Sequence, residues 1–143
     1  MNEPQPDTNL LTEEQLRAAP DSDYMNSDQL AFFRQYLVDL HESTRERIQE
    51  VKKEMLNPPE FSDHSDRASW EEQCALSMRI VDREQKLLPK IQQAMERIRL
   101  GSYGYCEETG EPIGIPRLLA RPTAEFSADV KIFKEMKEHL YND

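Results

Sequence analysis

Cys106, Thr109, Ser127 and Val130 stand at the four corners of a frame in which thiolates would hold a metal. The stretch 103–130 reads as a Cys-x-x-Cys knuckle, a Gly/Pro-rich turn and a second knuckle opening a helix, yet only Cys106 keeps its sulfur. A structural zinc site needs about four N or S ligands in a tetrahedron. One thiolate, two hydroxyls and a valine cannot supply them, so these positions predict a zinc-finger-like segment that folds without metal. A metal normally contributes much of a small finger's folding free energy. Packing of Tyr103, Tyr105, Ile113, Ile115, Leu118, Phe126 and Val130 is the expected substitute. Cys106 as a reactive thiol is the competing reading, but no His is near it in sequence.

Two further constellations could do chemistry. The segment 61–69 carries Asp63 and Asp66, three apart and therefore on one helix face. Acids in a first turn cap a helix and suit its dipole; alternatively, they are carboxylates carried to a distant target. Arg79, Arg83, Lys86 and Lys90 form a basic stripe, and Glu42, Glu46, Glu50 and Glu54 form an acidic row. The stripe and the row predict pairing between helices, weak per pair. The alternative is an anion site joined by Lys131 and Lys134. Cys74 lies on an apolar stripe and reads as core; His41, His64 and His139 form no ligand set. Neither a phosphate-cradling Gly-rich loop nor a Ser/His/Asp order is present, so no self-contained active site is expected.

The elements that must position these groups are helices. Thr12 and Gln15 form a capping box for a short helix ended by Pro20. Asn26 and Gln29 start a second helix, whose apolar residues recur at Leu30, Phe33, Leu37, Leu40, Ile48, Val51 and Met55 and which must stop before Pro58-Pro59. A third starts near Ser62 or Asp63. Its stripe is Cys74, Met78, Val81, Leu88, Ile91, Met95 and Ile98, and Gly101 ends it. Pro89 should bend this helix; nothing in the sequence explains its presence. Two apolar stripes joined by a short loop predict an antiparallel coiled-coil hairpin, a rod roughly 45 Å long for about 30 residues per arm. Residues 101–127 should hold two short strands. A last helix from about Ser127 to Tyr141 should turn Val130, Phe133, Met136 or Lys137, and Leu140 onto the hairpin base.

The fold class is thus mainly α. Its expected parts are an acidic N-terminal segment (1–25), the hairpin (26–100), a zinc-finger-like globular segment (101–126) and a C-terminal helix (127–143). The 143 residues are 37% hydrophobic and 32% charged, a balance that favours exposed helices over a large core. The net charge of −10 opposes tight binding to nucleic-acid phosphates. Acids are concentrated early: residues 1–30 hold seven against one base. Two cysteines in unlike settings predict no disulfide scaffold. Without a signal peptide or a run of ~20 apolar residues, a cytoplasmic protein with no membrane contact is expected.

Tyr24-Met25-Asn26, the tip Asp63-x-x-Asp66-Arg67-Ala68, Tyr103-Gly-Tyr-Cys106 and the stretch Ile113 to Ala124 resemble the DksA/TraR family of bacterial RNA polymerase-binding factors. The resemblance runs from about Asp23 to the end and is to the cysteine-poor, zinc-independent members. It implies a hairpin entering the secondary channel of RNA polymerase, with Asp63, Asp66 and Ala68 acting near the catalytic centre. It implies an effector, ppGpp, at Arg83, Leu87, Lys90 and Lys131, and control of transcription initiation in the stringent response. No prosthetic group, no zinc, no direct DNA binding and a monomer go with it. Two rivals remain: a Gre-type transcript-cleavage factor, which would carry a larger β-rich domain, and a coiled-coil adaptor with no catalytic-centre role. A DNA-binding finger is opposed by the charge and the missing ligands.

Overall fold

The computed structural model describes residues 10–141; the acidic positions before Leu10 lie outside them. The described chain is helical: α1 (Glu13–Ala18), a 3-10 turn (Asp21–Asp23), α2 (Ser27–Leu56), α3 (His64–Leu100), α4 (Ile115–Ala120) and α5 (Ala128–Tyr141). No helix is long and apolar enough to cross a membrane among these residues.

Local signals set the helix ends. At α1 the Thr12 hydroxyl accepts from the Gln15 N–H and the Gln15 side chain accepts from the Thr12 N–H. At α2 the Gln29 N–H donates to Asn26 Oδ1 at 2.9 Å, and Gln29 Oε1 takes the Met25 N–H at 2.9 Å. α3 passes unbroken through the exposed Pro89. It ends in a Schellman motif, with Gly101 at φ +86°, its N–H on the Ile98 carbonyl at 3.3 Å and the Ser102 N–H on the Arg97 carbonyl at 3.0 Å.

The chain forms two compact bodies. In the body Val38–Gln92, Thr44, Ile48, Val81 and Ile91 are buried and Val51, Cys74 and Leu88 half-buried, which is the predicted seam of α2 against α3. Thr44, where the apolar stripe thins, is fully buried, its hydroxyl accepting from Arg47. Met78 departs from the expected seam and is exposed, because at about 100° per residue it lies off the line through Val81, Leu88 and Ile91.

The second body joins the chain before Val38 to the chain after Gln92. Leu16, Phe33, Leu37, Ala94, Tyr103, Leu118 and Leu119 make its core. Phe33 and Tyr103 pack with ring centroids 5.6 Å apart, and α1 packs on α4. Two expectations fail here. The strands predicted in 101–127 reduce to a single bridge between Tyr105 and Pro112; Pro112 has no N–H to extend a ladder. The segment contains α4 instead, six residues with Pro116 in the first turn, too short to show a helical period. Most of the predicted buried side of α5 is also absent: Phe133, Met136 and Leu140 are exposed, whereas Val130, Lys131 and Lys134 are half-covered.

Candidate functional site

The end of the α2–α3 loop presents Asp63, and the first turns of α3 present Asp66 and Ala68, on the surface. Asp63 caps α3, taking the Asp66 N–H on Oδ1 at 2.9 Å. Asp66 is the third helical residue, and its Oδ2 accepts the Ser62 hydroxyl at 3.0 Å. Phe61 and Trp70, with centroids 6.3 Å apart, brace the loop across the helix start. The capping reading therefore holds for Asp63, and the same bonds fix where both carboxylates point. The Ser62 contact had no signal in the sequence beyond proximity.

The basic stripe does not pair as predicted. Among the described residues, no ion pair joins Arg79, Arg83, Lys86 or Lys90 to Glu42, Glu46, Glu50 or Glu54. Lys86 pairs within its own helix with Asp82 at 3.0 Å, and the pair bridging α2 and α3 is Arg47–Glu84 at 3.1 Å. The reason is azimuth: Glu84 faces the seam, whereas Arg83 and Lys90 point away from it and are exposed. Arg83, Leu87 and Lys90 share one face of α3, with Leu87 half-buried. Lys131 belongs to the other body, where it pairs with Glu135 at 3.8 Å.

The knuckle positions close around the Cys106 sulfur. Cys106 is buried. Desolvation pushes its thiol pKa up, but the Thr109 hydroxyl and the N–H groups of Ser127, Thr109 and Glu108, all donating to the sulfur, outweigh that and hold it at about 6. Thr109 Oγ1 also accepts the Glu111 N–H at 3.2 Å, and Ser127 Oγ caps α5 through the Val130 N–H at 3.4 Å. Both hydroxyls are thus engaged, and valine offers no donor atom. The residues do not fit zinc, and no cluster of three metal-binding side chains occurs among the described residues.

A thiol titrating lower in the folded than in the unfolded chain stabilises the fold above its unfolded pKa. For Cys106 the contribution is complete above about pH 9 and disappears as pH falls through about 6. The thermal midpoint of wild type minus that of Cys106→Ser should therefore grow from pH 6 to pH 9. A difference that stays constant over this range would remove the thiolate from the account.

Long-range polar contacts complete the closure. Arg97, its side chain 11% exposed, reaches Glu125 at 3.7 Å and Glu107 at 3.9 Å, and donates to the Thr123 carbonyl at 3.4 Å. Lys134 pairs with Glu108 at 2.6 Å and sits 4.6 Å over the Phe126 ring. α5 is thereby tied to the first knuckle, the link a shared metal would otherwise make. The Tyr103 hydroxyl donates to the Pro122 carbonyl at 2.7 Å. The Tyr24 hydroxyl donates to the Gly104 carbonyl at 2.6 Å and accepts the Gly114 N–H at 2.9 Å. Of the predicted packing set, Tyr103, Ile113 and Leu118 are buried and Tyr105, Ile115, Phe126 and Val130 half-buried.

A helical hairpin with paired acids at its turn, followed in the chain by a two-knuckle frame short of ligands, defines a mainly helical protein that carries a degenerate zinc-finger frame. Comparison with known proteins makes this specific. Residues 29–98 match the family described as DnaK suppressor protein DksA, N-terminal domain, and residues 101–135 match the prokaryotic dksA/traR C4-type zinc finger. A Caulobacter vibrioides protein named RNA polymerase-binding transcription factor DksA is 42% identical over 140 residues, covering 95% of this chain and 96% of the relative. The protein of the same name from Escherichia coli K12 is 39% identical over 120 residues, covering 83% of this chain and 80% of its own. The solved structure of transcription factor DksA2 from Pseudomonas aeruginosa matches with a TM-score of 0.77 at 42% identity, over 89% of this chain and 98% of that one. The chain belongs to the DksA family.

Proposed function

We propose that this chain binds RNA polymerase directly and regulates transcription initiation in the cytoplasm as a monomer, without zinc and without catalytic activity of its own. The observation that carries this is similarity over nearly the whole chain to relatives named RNA polymerase-binding transcription factors, combined with a tip that displays Asp63 and Asp66 on the surface. In this reading the α2–α3 hairpin enters the secondary channel and brings Asp63, Asp66 and Ala68 near the catalytic centre. Such a channel holds Mg²⁺ and basic groups, which favour carboxylates. Arg83, Leu87, Lys90 and Lys131 contact ppGpp together with the polymerase, cations being what a polyanionic nucleotide needs. The exposed Arg83 and Lys90, uncommitted to the acidic row, support that assignment. Loss of the ligand set makes zinc unnecessary, because hydrogen bonds to Cys106 and the Arg97 and Lys134 ion pairs close the frame. The Gre-type alternative would need a β-rich domain after the hairpin, where the described residues form one isolated bridge and two helices.

The test is in vitro transcription from a ribosomal-RNA-type promoter with zinc chelator present. Repression should survive chelation and deepen with ppGpp. Metal analysis of the purified protein should find well under one zinc per chain; stoichiometric zinc would sink the metal-free reading. Cleavage of backtracked RNA would decide for the Gre-type function.

A further inference from the structure

Leu76 and Ile80 stand one turn apart on the outside of α3 and are 57% and 43% exposed. With Leu76 as the origin and about 100° per residue, Leu76, Ile80, Arg83, Leu87 and Lys90 fall within an arc of about 80°. The seam residues Val81 and Leu88 lie roughly a third of a turn from Leu76, and Ile91 about a sixth. Met78, also exposed at 58%, lies on the opposite flank of the seam. The face therefore reads apolar, apolar, cationic, apolar, cationic from the tip end upward, at i, i+4, i+7, i+11 and i+14. Between Leu76 and Lys90 it contains no acid in a chain of net charge −10; Glu72 is the next residue on the arc toward the tip.

Single exposed apolar side chains are ordinary. Two in register with a half-buried leucine and two cations, on a helix whose apolar seam is already satisfied, form the pattern by which a helix seats in a groove of another protein. We infer that Leu76 and Ile80 are the apolar anchor through which α3 binds RNA polymerase. This rests on the proposed function. The polymerase is the occupant because the pair continues, on one body and one helix face, the Arg83–Leu87–Lys90 line assigned there to the polymerase and its effector. The wall receiving it must offer an apolar groove next to the anion and acidic groups that meet Arg83 and Lys90. Exposed positions cost little stability when changed, and glutamine is a good helix former, so the face can be altered without unfolding α3.

The experiment measures affinity of the full-length protein for purified RNA polymerase by competition with labelled wild type. Leu76→Gln/Ile80→Gln should weaken binding roughly ten-fold or more, each single change by roughly three-fold, with unchanged circular dichroism and thermal midpoint. Met78→Gln should remain within two-fold of wild type, which separates an anchor from a general loss of apolar surface. Wild-type affinity in the double variant, with wild type itself binding, would overturn the anchor and leave the polymerase reading standing. Wild type failing to bind polymerase would overturn both. Self-association of wild type that the double variant abolishes, with polymerase affinity unchanged, would also overturn the inference, the face then belonging to a second copy of this chain.

Discussion

Asp63→Asn/Asp66→Asn should lose at least roughly ten-fold in regulation of a responsive promoter, with or without ppGpp, while affinity for polymerase changes only a few-fold. Asparagine keeps what the tip needs structurally. Its Oδ1 can still take the residue-66 N–H that Asp63 now accepts at 2.9 Å, and it caps nearly as well as aspartate. At position 66 its carbonyl can still accept the Ser62 hydroxyl. The substitution is thus close to isosteric and removes two negative charges. At a metal-centred site each charge interacts with about 4 kcal/mol at 4 Å for an effective dielectric of 20, so even a fraction of that exceeds the 1.4 kcal/mol of a ten-fold effect. In the proposed mode the rest of the hairpin also contacts the polymerase, so binding should be largely kept. Paired measurements of promoter repression and polymerase affinity make the split visible. Full regulation by the double variant would mean that the tip is a helix cap and that the adaptor reading is correct.

Gly104→Ala should destabilise the body that contains the knuckle frame by about 3 kcal/mol, from a strained positive φ and a steric clash together. Gly104 sits at φ +91°, and a Cβ there would lie 2.7 Å from both Met25 Cγ and Sδ and 3.3 Å from the Tyr24 hydroxyl. Met25 cannot simply move aside, since it is buried and itself holds φ 55°. The Gly104 carbonyl meanwhile accepts both the Tyr24 hydroxyl at 2.6 Å and the Ile113 N–H at 2.8 Å, so any shift disturbs the link between the start of α2 and the knuckle. The two bodies carry separate probes: all five tyrosines lie in the body of Gly104, and the single tryptophan, Trp70, lies in the other. In urea, the tyrosine near-ultraviolet signal should lose about 3 kcal/mol of apparent stability in the variant, and Trp70 fluorescence should shift less. Met25→Ala should relieve part of the penalty, leaving the φ strain. A tyrosine-reported change under about 1 kcal/mol would show that the close approach is soft.

Much of the helix layout was legible because caps and breakers act within a few residues. Asn26 with Gln29, Asp63 with Asp66, and Gly101 mark helix ends through bonds to their own neighbours. The α2–α3 seam was legible for the same reason: Ile48, Val81, Leu88 and Ile91 repeat at the spacing a helix imposes. α4 was missed because six residues show no period, and the two strands expected in 101–127 reduce to one bridge because Pro112 has no N–H to extend a ladder.

The residue types alone settled that the knuckle frame lacks a ligand set, since donor chemistry does not depend on folding: Cys106, Thr109, Ser127 and Val130 cannot enclose zinc wherever they lie. They also placed two acids on one turn of helix at the loop. Which contacts close the frame was decided by tertiary structure. Arg97 meets Glu107, Glu125 and Thr123, Lys134 meets Glu108, and Tyr24 bridges Gly104 and Gly114 across some eighty to ninety positions of sequence. Such pairs leave no periodic trace, because each depends on where two distant backbones come to rest. The same holds for the outward faces. Helical spacing says which residues share a side, but only packing decides which side is covered, and it left Phe133 and Met136 of α5 and Leu76 and Ile80 of α3 at the surface.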